Sequence, residues 1–80
     1  GPIDAVKNAL NSLPGQYSHL LDYSEHALTS GSSSKAAAYV YLRAKGSAKQ
    51  EYGVGIHPNI TTATIKAIIS AMNRLHRALK

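Results

Sequence analysis

Four histidines, His19, His26, His57 and His76, are the side chains best suited to metal or acid–base chemistry, and their spacing supports neither. Zinc sites carried on a helix pair two His at i and i+4, as in HExxH, and structural zinc sites add Cys. The sequence has no Cys and no HExxH, and no two of its His stand four apart on one helix. Asp22, Ser24 and His26 have the side-chain types of a nucleophile relay. They alternate along one predicted strand, so they share a face but project in parallel. A relay needs a nucleophile on a sharp turn with its base in reach. Gly53-Val54-Gly55, ahead of a predicted helix, has part of the look of a phosphate loop. It lacks the third glycine of GxGxxG and any Gly-Lys-Ser/Thr ending, and it follows an antiparallel strand. One opening for chemistry is left. The start of that helix, Asn59 to Ala63, offers backbone N–H groups to a carboxylate. The sequence therefore predicts no catalytic residue and no metal ligand.

The elements that would position these residues can be read from periodicity. Residues 2–13 form a helix: Pro2 suits a first helical position, Asp4 favours the positive end, and Ile3, Val6, Leu10 and Leu13 recur at spacings of three and four. Pro14-Gly15 stops it. Residues 16–29 form a strand rich in Tyr, His and Leu, and Gly31 with Ser32, Ser33 and Ser34 turns the chain. Residues 35–45 alternate. Tyr39, Tyr41 and Arg43 fall on one face, and Ala36, Ala38, Val40, Leu42 and Ala44 on the other. Gly46-Ser47 turns the chain again. Residues 49–57 place Tyr52, Val54 and Ile56 on one face and Gly53 and Gly55 on the other, where a backbone or ligand can approach closely. Pro58 ends the strand, and Asn59 or Thr61 caps a helix over 60–79. Ile65, Ile68, Met72, Leu75 and Leu79 are its apolar stripe, and Lys66, Ser70, Asn73, Arg77 and Lys80 its wet one. The expected class is α+β: a helix, a three-stranded antiparallel meander and a helix.

Eighty residues make one small domain, which buries only about 60–65% of the surface its unfolded chain exposes. One sheet face is expected to lie under the long helix. The other is expected to present Ala36, Ala38, Gly53 and Gly55 and to be covered by a second copy in a homodimer. The net charge is +5. Lys66, Arg74, Arg77 and Lys80 sit in the last helix, near whose end cations complement the dipole. Lys35, Arg43, Lys45 and Lys49 flank the second hairpin. This distribution reads as a solvated basic surface. The topology also invites comparison with double-stranded RNA-binding domains, which grip phosphate with lysines at the start of the final helix. Here that stretch is Pro58-Asn59-Ile60-Thr61-Thr62-Ala63-Thr64, with no Lys or Arg, and nucleic acid is not expected as a partner. No apolar stretch approaches the ~20 residues that span a membrane. No signal peptide is expected before the first helix. The absence of Cys fits a reducing cytoplasm, and the opening at Gly1-Pro2 without Met is expected of a fragment or a processed chain.

Five stretches, read together, carry a resemblance. They are Gly1-Pro2-Ile3-Asp4-Ala5 with Ala9-Leu10; Leu21 to Leu28 with Gly31; Ala36-Ala37-Ala38-Tyr39-Val40; Tyr52-Gly53-Val54-Gly55-Ile56; and Ile60 to Ala67 running on through Ala71-Met72-Asn73-Arg74-Leu75. In this order and spacing, over almost the whole chain, they are similar to the regulatory domain of the 2-isopropylmalate synthase family. The resemblance implies a non-catalytic module built on two βββα units related by a pseudo-two-fold, with leucine held between them as feedback inhibitor. Residues 1–14 then correspond to the helix of the first unit and 16–80 to the whole second unit. It implies partners: leucine, a second copy, and a (β/α)8 barrel that condenses acetyl-CoA with 2-oxoisovalerate and uses a divalent metal. No cofactor is implied for these residues. Location would be cytoplasmic, or an organellar stroma or matrix in a eukaryote. It also implies effector contacts: Gly1, Ile3 and Asp4 on the first helix, Leu20, Tyr23 and Ala27 on the first strand, and Ser34 and Ala36 across the turn. Ser34 departs from the small apolar residue usual there. Of this set, Tyr23 alone would be chosen on residue type. A citramalate synthase domain sensing isoleucine is the close alternative.

Overall fold

The computed structural model describes residues 2–12, 18–30 and 33–78. The elements are α1 (Pro2–Ser12), β1 (Ser18–Ser30), β2 (Ser33–Ala44), β3 (Gln50–His57) and α2 (Ile60–Ala78). Both strand pairings are antiparallel, in the order β1-β2-β3. The α+β meander flanked by two helices is thus the fold observed. The expected stop at Pro14-Gly15, the turn at Gly31, and the stripe positions Leu13 and Leu79 lie outside the described residues.

The alternation of β2 is what the core is built on. Ala38, Val40, Leu42 and Ala44 are buried on one face, where they meet Val6 and Leu10 of α1 and Ala63, Ala67, Ile68, Ala71 and Leu75 of α2. The β2–β3 turn closes with the Ala44 amide donating to the Lys49 carbonyl at 2.9 Å, and Gly46 takes a φ of 72° there. A positive φ is open to glycine at no steric cost. Asn59 caps α2, its side-chain oxygen accepting from the Thr62 amide at 3.2 Å.

The register corrects the expected assignment of the sheet faces. Ala38 pairs with Gly55 and Val40 with Gly53, so both glycines lie on the core side, under α2. A Cβ at Gly53 would overlap the Ala67 carbonyl oxygen and the Ala71 amide nitrogen; one at Gly55 would overlap the Ala63 carbonyl oxygen. The close approach that two alternating glycines permit is therefore made by the backbone of α2. The face expected to be uncovered, with Ala38, Gly53 and Gly55 upon it, is the covered one. The open face carries Tyr39 and Tyr41 from β2 with Tyr52, Val54 and Ile56 from β3, and the last three are 57%, 42% and 47% exposed.

The stripe expected on α2 is corrected for the same reason. With backbone this near, the residues facing β3 are alanines, at 63, 67 and 71. Ile68 and Leu75 are buried as expected, and Met72 is half-buried against the core. Ile65 is not buried: it is 47% exposed, and Ile69, one turn on, is 49% exposed. Small residues take the seam, and the larger ones form a flank turned away from β3.

Candidate functional site

Most of the residues singled out for effector contact meet on the helix side of the sheet. Ala27 pairs with Ala36 and Thr29 with Ser34, while Leu20 stands opposite buried Leu42 and Tyr23 opposite buried Val40. Leu20 and Tyr23 differ by three positions, and in a regular strand they would point to opposite faces. A register shift between Leu20 and Asp22 places both on the same side, with Leu21 as the extra residue. Leu20 and Tyr23 pack against the core, whereas Ala27 and Ser34 are exposed and Ala36 half-buried. Ser34 sits two positions beyond the reach of β3, whose last partner on β2 is Ala36. Asp4 is exposed on α1 and engaged in an interaction of its own. Ile3 lies in the first turn of α1, and Gly1 is outside the described residues.

Tyr23 joins the strand to the helix above it. Its hydroxyl donates to the Glu25 carboxylate at 2.8 Å and stands 3.0 Å from the Thr64 hydroxyl of α2. A phenol has one proton to give. With that proton on Glu25, Thr64 donates to Tyr23, and the bonds run in one direction from α2 to β1. Burial, above all, holds the Tyr23 phenol above its ordinary value of 10.0; the Thr64 bond works against this, and the Glu25 carboxylate adds to it. Sequence reasoning passed over Glu25 and Thr64. Glu25 was legible two positions after Tyr23 on the same strand face. Thr64 was not, because its partner is 41 residues away.

The strand residues with relay-type side chains do not converge. Asp22, Ser24 and His26 pair with Tyr41, Tyr39 and Ala37, on the open face. The His26 ring meets Tyr39 edge-on with centroids 5.6 Å apart, and Asp22 accepts from the neighbouring Tyr23 amide. His57 accepts through Nδ1 from the Asn59 amide at 3.0 Å. Among the described residues no three His, Cys, Asp or Glu side chains gather where an ion could be held. Among them, too, no helix is long and apolar enough to cross a membrane.

The sheet is half covered: α2 packs over β3 and β2, while the inner face of β1 carries Leu20, Tyr23, Glu25 and Ala27. The chain belongs to the LeuA allosteric (dimerisation) domain family, whose model matches residues 1–76. It is 49% identical over 74 residues to 2-isopropylmalate synthase of Clostridium acetobutylicum, 92% of this chain and 13% of that protein. It is 51% identical over 77 residues to the synthase of Kineococcus radiotolerans, and 47% identical over 77 residues to that of Mycobacterium ulcerans. Each alignment covers 96% of this chain and 13% of the relative. The chain thus spans about one eighth of the length of these relatives, and it is their regulatory domain that it matches, not their catalytic part.

Proposed function

We propose that this chain is the leucine-sensing module of a 2-isopropylmalate synthase. Leucine binds on the helix side of the sheet, against Leu20, Tyr23, Ala27 and Ala36, with Ser34 at the outer end and Gly1, Ile3 and Asp4 completing the set. Residues 1–80 act as one regulatory unit, with 1–14 and 16–80 belonging to its two βββα halves. The bound state inhibits a catalytic barrel elsewhere in the enzyme, which condenses acetyl-CoA with 2-oxoisovalerate in the cytoplasm. The module itself uses no cofactor. The observation that carries this reading is the register shift in β1. It gives Leu20, Tyr23 and Ala27 a common face on the helix side of the sheet. An isobutyl group needs an apolar recess, and its ammonium and carboxylate need polar groups at the rim. The family's description as a dimerisation domain and the exposed Tyr52, Val54 and Ile56 support a homodimer joined through the open sheet face.

A thermal-shift series against the twenty amino acids and a short RNA duplex tests the effector. A ligand that binds only the folded state raises stability by RT ln(1 + [L]/Kd). Leucine is expected to give the largest rise. A larger rise with isoleucine would make the module a citramalate synthase sensor. A rise with RNA alone would overturn the reading.

A further inference from the structure

We infer that Glu25 is the residue that holds the effector's ammonium group, in contact with the Tyr23 hydroxyl that links it to α2. This rests on the amino-acid-sensing reading above. An amino acid lying on the helix side of β1 brings one positive charge, and that charge needs a carboxylate. On this face of β1 the residues in order are Leu20, Tyr23, Glu25 and Ala27, so Glu25 is the acid between the apolar side chains that would grip the isobutyl group. It is exposed, and its register partner on β2 is Ala38. One carboxylate oxygen accepts from Tyr23 at 2.8 Å, which anchors the group to its own strand. An ionised carboxylate has about four acceptor positions, and Tyr23 uses one. An ammonium on Glu25 would also draw charge from the carboxylate that Tyr23 bonds to. The directed bonds from Thr64 through Tyr23 to Glu25 therefore let the ligand's charge be felt at α2.

The test separates charge from shape. Glu25→Gln keeps an acceptor oxygen for the Tyr23 hydroxyl and removes the negative charge. Binding of leucine and of 4-methylpentanoate, which has the same isobutyl group and carboxylate but no ammonium, is measured by calorimetry on the intact protein that contains these residues. The unaltered protein is expected to prefer leucine. Glu25→Gln is expected to weaken leucine about 10- to 100-fold, the scale of a lost charge-assisted hydrogen bond. Its affinity for 4-methylpentanoate and its melting temperature should be unchanged. Leucine binding within two-fold of the unaltered protein would overturn the inference. Equal loss of both ligands would do the same, because Glu25 would then act on shape alone. If the unaltered protein binds no leucine, the sensing reading itself fails.

Discussion

Tyr23 shows how much one side chain can carry in a domain with few aromatics. Its hydroxyl bridges β1 to α2 through Thr64 and also bonds Glu25, so Tyr23→Phe removes two partners and leaves the ring in place. A loss of about 1 kcal/mol is expected at neutral pH. The pH dependence has a definite sign. The phenol's folded-state pKa is raised above 10.0, chiefly by burial, so the unfolded chain gives up its proton first as pH rises. The stability Tyr23 contributes is then fully present below about pH 10 and is lost as pH climbs through the folded value. Urea midpoints for both proteins across that range should converge as pH rises. A gap that stays constant would show that the phenol does not feel its surroundings as described. Residue type made Tyr23 visible in the sequence. Its sharing a face with Leu20 was not visible, because the bulge that brings them together carries no glycine or proline to mark it.

Among the elements, the seam between α2 and β3 was half legible. The change from period two to period 3.6 at Pro58 marked the end of the strand and the start of the helix, and the alternating glycines marked a close approach. What the pattern did not say was which backbone approaches. Hydrophobicity alone favoured Ile65 for the buried stripe, yet a helix seated on glycines has no room for isoleucine. It turns Ala63, Ala67 and Ala71 to the sheet instead. Gly53→Ala should therefore cost about 3 kcal/mol, the upper end of overpacking, because the two nearest atoms it meets belong to backbone and the whole helix must lift. Ile69→Ser, a larger chemical change on the exposed flank, should stay within about 0.5 kcal/mol. Denaturant titration of the two variants checks this, and equal losses would put the helix somewhere else on the sheet.

At the scale of the whole molecule, the same correction moves the assembly surface. The sheet's two faces are unlike: one packs against α2 and α1, while the other shows Tyr41 stacked on Tyr52 with ring centroids 4.0 Å apart, and beside them Tyr39, Val54 and Ile56. Cross-strand aromatic and β-branched pairs of this kind stabilise a sheet and also give another sheet something to pack on. The β1 side of the face is more polar, with His19, Asp22, Ser24 and His26. A two-fold partner can thus set its apolar β3 edge against ours and leave the polar strands at the rim. With strands ~4.8 Å apart and ~3.3 Å of rise per residue, eight residues on three strands give a footprint of roughly 350 Å². That is less than the ~800 Å² per partner of a standard interface, so the isolated chain should dimerise weakly, in the micromolar range. Ala38→Glu is expected to unfold the chain, since Ala38 is fully buried beneath α2. Val54→Glu puts the charge on the open face and should give a folded monomer, with Ser70→Glu on α2 leaving association unchanged. Sedimentation combined with circular dichroism distinguishes the three. A folded Val54→Glu dimer as tight as the unaltered chain would mean that the copies meet elsewhere, and the exposed Ile65–Ile69 flank of α2 would be the next surface to charge.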